Sequence, residues 1–291
     1  MSEPRLGFVD LPSLRLHVAQ AGPAGGPPVV LLHGFPEFWW GWRRQIGPLA
    51  AAGHRVIAPD QRGYNLSDKP RGLAAYSLDR LAEDVVALLD ALGLERAPIV
   101  GHDWGAAVAW WTAIRFPERV ARLAILNTPH PAAFRRLLRT DSDQRRRSRY
   151  MLYFQLPWLP ERKLAAGGFQ PFRAIFRRSS RRGTFAAGEL DRYAEAAARP
   201  GALAGMLAWY RAALRRPPRR LPSLAVAPPT LILWGLEDVA LSPALIEPSA
   251  AFCREVEVVR ISGAGHWVQH EAADEVNARL LDFLAPARAA R

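Results

Sequence analysis

The sequence contains a single cysteine, Cys253, among 291 residues. One cysteine excludes an internal disulfide bond, and no Cys/His cluster has the spacing of a zinc site, so we expect no metal and a reducing compartment. No stretch approaches the roughly 20 apolar residues that a membrane-spanning helix needs, and the first residues do not form a signal-peptide pattern. We therefore expect a cytoplasmic protein without a membrane span.

Acidic residues are scarce in one part of the chain. Residues 131–220 hold 21 Lys and Arg against 6 Asp and Glu, whereas the remaining residues hold 18 against 21. The formal net charge of +12 therefore arises in one segment. Because this segment has no RNA-binding signature and no zinc-finger spacing, we interpret its charge as a solvated helical face and expect no nucleic-acid partner.

Outside that segment, short apolar runs alternate with helical periodicity. This alternation is typical of a mainly parallel sheet covered by helices on both faces. Residues 6–20 instead alternate apolar and polar side chains, which predicts an antiparallel hairpin at a sheet edge. A helix is predicted over 78–92, and the predicted buried strands cover 29–32, 56–60, 97–100, 123–127, 231–235 and 256–259.

Between residues 131 and 227 the alternation stops, and the periodicity becomes helical with proline-rich breaks. We interpret this segment as an inserted helical cap, with residues 1–130 and 228–291 forming the α/β core. Because the insertion leaves after one strand and returns at the next, the cap should lie over the carboxyl ends of the strands. Open α/β sheets bind their ligands at that edge.

The sequence has no G-x-S-x-G motif, but the turn after the strand at 97–100 reads GHDWG. A reversal from strand to helix this sharp strains the backbone at its apex, and it lifts the apex side chain clear of the sheet. The apex is Asp103, at a helix N-terminus that favours an ionised carboxylate. We predict that Asp103 is a nucleophile; the alternative is that it only caps the helix.

Two further strand ends supply partners for such a nucleophile. Asp238 follows the strand at 231–235, and His266 follows the last strand. The order of nucleophile, acid and histidine is that of α/β hydrolases. Each residue alone has a structural interpretation, as a helix cap or a core histidine, but together at strand ends they favour catalysis.

The nucleophile determines the chemistry. A carboxylate that attacks an sp3 carbon displaces a leaving group and forms an alkyl ester, whereas its attack on a carbonyl gains nothing over serine. His266, oriented by Asp238, would then activate the water that hydrolyses this ester. The backbone amides of Phe35 and Trp104 are expected to stabilise the oxyanion formed on Asp103.

The chain resembles the epoxide hydrolases of the α/β-hydrolase fold over essentially its whole length. The matching motifs are HGFPEFWWGWR at 33–43, PDQRGYNLSDKP at 59–70, GHDWGAAVAW at 101–110, NTPHP at 127–131, WGLED at 234–238 and GAGHW at 263–267. The resemblance implies a cis peptide before Pro36, no cofactor, and an epoxide and water as reactants. One departure is Asn65, where the family commonly has glycine; asparagine is the best substitute at positive φ.

The resemblance also implies two cap tyrosines, Tyr150 and Tyr210, that bind and protonate the epoxide oxygen. Tyr153 is a less favoured substitute for Tyr150, although side chains on this helix face could simply be core. Together with Tyr153, we expect Trp39 and Trp267 to contact substrate in an apolar pocket. Adjacent Trp39 and Trp40 cannot both face that pocket.

Two other functions remain open at this point. A haloalkane dehalogenase would use the same nucleophile, and Trp158 could serve as its second halide donor, although Phe35 removes the usual asparagine. A basic binding protein on a spent hydrolase scaffold would act through the arginine-rich segment, but the retained triad argues against it. Monomer and homodimer are both compatible with the sequence.

Overall fold

An eight-stranded sheet forms the centre of the protein in the computed structural model, which describes residues 3–285 apart from the side chain of Ala187. The strands are β1 (Arg5–Asp10), β2 (Arg15–Ala21), β3 (Pro28–Leu32), β4 (Arg55–Pro59), β5 (Ala97–His102), β6 (Val120–Leu126), β7 (Thr230–Gly235) and β8 (Val256–Ile261). Their order in space is β1-β2-β4-β3-β5-β6-β7-β8. The pairs β1–β2 and β2–β4 are antiparallel, and all the others are parallel. The predicted edge hairpin and the mainly parallel sheet are confirmed.

The helices of the core cover both faces of the sheet. They are α1 (Arg43–Ala51), α2 (Leu78–Ala91), α3 (Trp104–Arg115), α10 (Ile246–Ala250), α11 (Val268–Glu271) and α12 (Ala273–Leu284). Val30 and Leu32 of β3 pack into one apolar cluster, which includes residues of α2 and α3. Val29 and Leu31 point the other way, into a cluster with residues of α1 and α12. This alternation explains why the buried strands read as continuous apolar runs.

Six helices separate β6 from β7. They are α4 (Pro131–Thr140), α5 (Ser142–Arg147), α6 (Arg149–Tyr153), α7 (Leu159–Ser179), α8 (Ala187–Ala198) and α9 (Ala202–Arg215), and α7 is interrupted by non-helical backbone from Ala166 to Phe169. The first begins at Pro131, where the His130 side chain accepts a hydrogen bond from the amide of Ala132 at 3.2 Å. No helix within residues 3–285 is both long and apolar enough to cross a membrane.

The helix α9 packs backbone against backbone on the loop after β4. A Cβ atom on Gly205 would approach the carbonyl oxygen of Gly63 to 2.5 Å. Beside this contact, buried Trp209 donates from Nε1 to the carbonyl oxygen of Arg62 at 3.0 Å, and its ring meets Tyr64 edge-on. The absence of a side chain at Gly205 therefore lets α9 lie directly on the loop after β4.

Gly205→Ala tests this contact. Alanine normally stabilises a helix interior relative to glycine, but here we expect a loss of about 1–3 kcal/mol, because the added methyl group meets backbone that cannot give way. Thermal and urea unfolding would measure the change. Gly188→Ala in α8 is the matched control, since a Cβ there meets nothing within 4 Å. Equal effects of the two substitutions would contradict the account.

Candidate active site

Asp103 occupies the apex of the turn between β5 and α3. Its backbone has φ 48° and ψ −123°, a region that costs a non-glycine residue about 1–3 kcal/mol. The turn packs closely on the end of β3. Gly105 lies so near the carbonyl oxygen of Leu32 that a Cβ atom at this position would collide with it. From the side, Thr128 Oγ1 donates to the carbonyl oxygen of Asp103 at 3.1 Å. The strained apex predicted from GHDWG is therefore present, and it directs the carboxylate away from the sheet.

The loop after β3 contacts that carboxylate. The amide of Phe35 donates to Asp103 Oδ1 at 2.8 Å, and the peptide between Phe35 and Pro36 is cis, as the family resemblance implied. Trp104 is the first residue of α3, where amides have no partner within the helix. The assignment of Phe35 and Trp104 to an oxyanion hole stays a prediction, and the Phe35 amide already lies beside the carboxylate.

The acid and the histidine meet at the ends of β7 and β8. His266 Nδ1 lies 2.9 Å from Asp238 Oδ2, and His266 Nε2 lies 3.7 Å from Asp103 Oδ2. All three side chains are largely buried. Because Nδ1 is occupied by Asp238, Nε2 is the nitrogen that faces Asp103.

Asn127, which the sequence interpretation missed, holds the acid. Its Nδ2 donates to Asp238 Oδ2 at 2.8 Å, and its Oδ1 accepts from the amide of Gly235 at 2.9 Å. Asp238 Oδ1 also accepts from the amides of Ala240 and Leu241. The sequence offered one signal for this role. Asn127 directly follows β6, at the sheet edge where Asp103, Asp238 and His266 lie.

The pKa values of Asp238 and His266 depend on the charges of their neighbours. Burial alone would raise the pKa of Asp238, but His266 and the hydrogen bonds to the carboxylate outweigh it and lower this pKa. Burial alone would lower the pKa of His266, but the charges of Asp238 and Asp103 raise it to about 9. His266 is therefore an imidazolium at neutral pH as long as Asp103 carries its negative charge.

Tyr150 and Tyr210 lie together on the cap side of Asp103. Their rings are 6.0 Å apart, and Tyr210 meets Phe35 and Trp104 edge-on at 5.2 and 5.0 Å. Burial raises the pKa of both hydroxyl groups well above the usual range, and the Asp103 charge adds to this shift. Both therefore keep their protons and can donate hydrogen bonds toward the region in front of Asp103.

The three remaining predicted pocket residues have different surroundings. Trp39 donates its amide to Asp60 Oδ1 at 2.9 Å, and its ring is partly buried against the core. Trp267 is 1% exposed, donates to Ser179 Oγ at 2.9 Å and stacks on Phe176 of the cap. These contacts give both tryptophans packing roles, and substrate contact at either stays a prediction.

Tyr153 lies on α6, three residues after Tyr150. Its ring approaches Phe154 at 6.1 Å, and its hydroxyl is buried without a hydrogen-bond partner among residues 3–285. A role for Tyr153 in substrate binding stays a prediction.

A second buried carboxylate, Glu37, was also missed, although it belongs to the HGFPE motif. Glu37 Oε1 accepts from Tyr193 of the cap and from His270 Nε2, both at 2.8 Å, and Oε2 accepts from Gln269 at 3.0 Å. Burial alone would raise the pKa of Glu37, but its contacts with His270 and His102 outweigh burial and hold this pKa well below its usual range. Burial lowers the pKa of His270 to about 4, and the Glu37 charge opposes this shift.

This network lies directly beneath the triad. His102, the residue before Asp103, lies with Nε2 2.8 Å from the carbonyl oxygen of His266, and its Nδ1 is 3.0 Å from Gln269 Nε2. Arg43 contacts Tyr193 and forms an ion pair with Glu189 of α8. The same set of polar contacts therefore joins the loops that carry His102 and His266 to α8.

Comparisons with known proteins agree with this geometry. The family described as "alpha/beta hydrolase fold" matches residues 27–273. The chain is 43% identical to the AB hydrolase superfamily protein YfhM of Bacillus subtilis, over 95% of this chain and 96% of that protein. It is 36% identical to Epoxide hydrolase A of Mycobacterium tuberculosis, over 98% of both chains.

Solved structures give the same result. A crystal structure of Bacillus megaterium epoxide hydrolase with an inhibitor superposes with a TM-score of 0.87 at 32% identity, and the match covers 96% of this chain and 99% of that one. The chain therefore belongs to the α/β-hydrolase fold family, in its epoxide hydrolase branch. The family and the hydrolase class that the motifs predicted are confirmed.

Asn127→Gly tests the support of the acid. Glycine tolerates the φ of 46° found at this position, so the substitution removes the amide without adding backbone strain. Loss of a buried hydrogen bond to a charged group should lower kcat/KM about tenfold. Asn65→Gly is the matched control, because Asn65 also has positive φ but donates to Asp60, outside the triad. Unchanged turnover in Asn127→Gly would contradict the role.

Proposed function

We propose that this protein is an epoxide hydrolase, a hydrolase of ether bonds that opens an apolar epoxide to a vicinal diol through an ester on Asp103. The observation that carries the proposal is the tyrosine pair, Tyr150 and Tyr210, whose rings lie 6.0 Å apart, with Tyr210 packed edge-on against Phe35 and Trp104 next to Asp103. An epoxide oxygen leaves as an alkoxide and needs a proton. A departing halide needs none, so this donor pair fits the epoxide.

The first step forms the ester. An Asp103 carboxylate oxygen attacks one ring carbon, a new C–O bond forms and the C–O bond to the epoxide oxygen breaks. The oxygen takes a proton from Tyr150 or Tyr210, which lie on the cap side of the site. The apolar rings of Phe35 and Phe154 pack edge-on against Tyr210 at this site.

The second step hydrolyses the ester and regenerates the free enzyme. Esterification removes the negative charge of Asp103, and with it one of the contributions that raise the pKa of His266. The imidazolium then gives up its proton more readily, and this proton replaces the one that the tyrosine lost in the first step. The neutral Nε2 can then accept a proton from a water molecule that attacks the ester carbonyl. The amides of Phe35 and Trp104 would stabilise the oxyanion, and its collapse releases the diol and restores the carboxylate.

The dehalogenase alternative shares Trp104, but it lacks the second halide donor at the positions where that family carries one. Trp158 is 61% exposed, so its indole N–H is not enclosed with Asp103, and Phe35 offers only a backbone amide already bonded to the carboxylate. The spent-scaffold alternative is disfavoured by the intact contact between His266 and Asp238. We therefore retain the epoxide as substrate.

The proposal extends to the domain organisation, the location and the substrate class of the protein. Residues 131–227 are proposed as a cap unit on a core of residues 1–130 and 228–291, in agreement with the six helices between β6 and β7. Cytoplasmic location and the absence of a nucleic-acid partner stay predictions from the sequence. The substrate is expected to be apolar, because aromatic rings surround the tyrosine pair.

His266→Gln tests the reaction class. Without the base, the ester forms but is not hydrolysed, so incubation with styrene oxide should increase the intact protein mass by that of the whole epoxide. A bromoalkane should leave the mass unchanged. Intact-protein mass spectrometry gives both results in one experiment, and Asp103→Asn is the control that should form no adduct.

Two outcomes would contradict the proposal. An alkyl adduct formed with loss of bromide would assign the protein to the dehalogenases. Failure of a panel of aryl and aliphatic epoxides to form any adduct would reject the epoxide as substrate.

A further inference from the structure

The cap exposes several large apolar side chains around the loop between α6 and α7. The exposed fractions of Leu152, Leu156, Trp158 and Leu159 are 67%, 44%, 61% and 42%, and Leu214 on α9 is 63% exposed. We name these five residues the apolar patch. Single exposed apolar residues are ordinary, but several close together mark a contact surface.

Hydrogen bonds join the two parts of the apolar patch into one surface. Arg211 Nη2 donates to the carbonyl oxygen of Leu156 at 2.6 Å, and Arg215 Nη2 donates to that of Gln155 at 2.8 Å. Both arginines belong to the last turn and a half of α9, with Leu214 between them in sequence. The loop therefore lies against the end of α9 that carries Leu214.

Trp158 projects from this loop in an unusual backbone conformation. Its φ is 47° and its ψ is −24°, a left-handed conformation that bulky side chains rarely adopt. The conformation leaves the indole in solvent, with the guanidinium of Arg162 at 5.8 Å over the ring. A tryptophan next to arginine has the amphipathic character of residues at membrane interfaces.

Unpaired cations surround the apolar patch. On α6, at the start of α7 and at the end of α9, five exposed cations have no ion-pair partner among residues 3–285: Arg149, Arg162, Lys163, Arg215 and Arg216. The only acidic residue from 144 to 188 is Glu161, which is already paired with Arg211, and no acidic residue occurs from 196 to 236. The surface therefore combines apolar side chains at its centre with positive charge at its rim.

The positive charge of the rim indicates which kind of partner can cover the apolar patch. A second copy of this chain would bring two unpaired cationic rims together. A nucleic acid would satisfy the rim but leave the leucines uncovered. A lipid bilayer with anionic headgroups satisfies both parts, because Trp and Leu enter the headgroup region while Arg and Lys meet the phosphates.

We propose that the apolar patch and its cationic rim dock this protein reversibly on anionic lipid bilayers. Tyr150 connects this surface to the active site, because the residue is 38% exposed while its hydroxyl faces Tyr210 and Asp103. Docking would turn the Tyr150 side of the cap toward the lipid, where apolar compounds accumulate. The docking itself does not depend on the proposed epoxide chemistry, and only this consequence for substrate access rests on it.

Vesicle co-sedimentation tests the proposal with the full chain. We expect the protein to sediment with vesicles of phosphatidylcholine mixed with phosphatidylglycerol, and roughly tenfold less with phosphatidylcholine alone. Trp158→Ser/Leu214→Ser should lower binding to the mixed vesicles by roughly tenfold. The matched control is Leu6→Ser/Phe8→Ser, which removes two exposed apolar side chains from edge strand β1 and should bind like wild type.

A second pair of variants tests the charge. Arg149→Gln/Arg162→Gln should weaken binding by at least about tenfold, since each arginine near an anionic surface contributes roughly fivefold. Arg96→Gln/Arg279→Gln lowers the net charge equally but lies outside the rim, and should have little effect. High salt should release the wild-type protein from the mixed vesicles. Thermal unfolding of every variant checks that the fold is retained.

Four results would overturn the proposal. The first is the absence of sedimentation with mixed vesicles at low salt, and the second is equal loss in the patch variants and their controls. The third is binding to DNA that exceeds binding to vesicles and depends on the rim arginines alone. The fourth is a dimer of wild type, seen by sedimentation velocity, that Trp158→Ser/Leu214→Ser dissociates, since a second copy would then cover the patch.

Discussion

The strained backbone of Asp103 is the constraint on which the rest of the site depends. Positive φ at the apex turns the carboxylate away from the sheet, onto the Phe35 amide and to within 3.7 Å of His266 Nε2. Such strain persists only where the surroundings over-determine it. Here the absence of a side chain at Gly105 lets the turn pack on Leu32, and the Thr128 hydroxyl donates a hydrogen bond to the carbonyl oxygen of Asp103. The packing of the sheet therefore maintains the conformation that the chemistry uses.

Charge gives the site an order of events. While Asp103 is ionised, its charge raises the pKa of His266 and adds to the shifts that keep Tyr150 and Tyr210 neutral, which is the state that the proposed attack and proton donation require. In the proposed mechanism, formation of an ester removes that charge, and the histidine becomes a better base at the step that needs one. Near this site, the buried Glu37 carboxylate joins Tyr193 of α8 to His270 of α11.

The residues at strand ends could be predicted from sequence because each follows a recognisable apolar run. Asp103, Asp238 and His266 were found in this way, and motif resemblance added the tyrosines. Asn127 and Glu37 were missed although both belong to recognised motifs, since their roles appear only when distant segments pack together. Tyr193, for example, contacts Glu37 across 156 positions. The direction of the Trp39 ring was equally inaccessible, because adjacent aromatic residues give no periodicity that assigns one of them to a pocket.

Oxygen transfer from Asp103 tests the central claim most directly. A single turnover of excess wild-type enzyme with styrene oxide in water labelled with oxygen-18 should give an unlabelled diol, because its new oxygen comes from the carboxylate. The label should then appear in the peptide that contains Asp103. A diol labelled in the first turnover, with no label at Asp103, would mean that water attacks the epoxide directly and would contradict the ester.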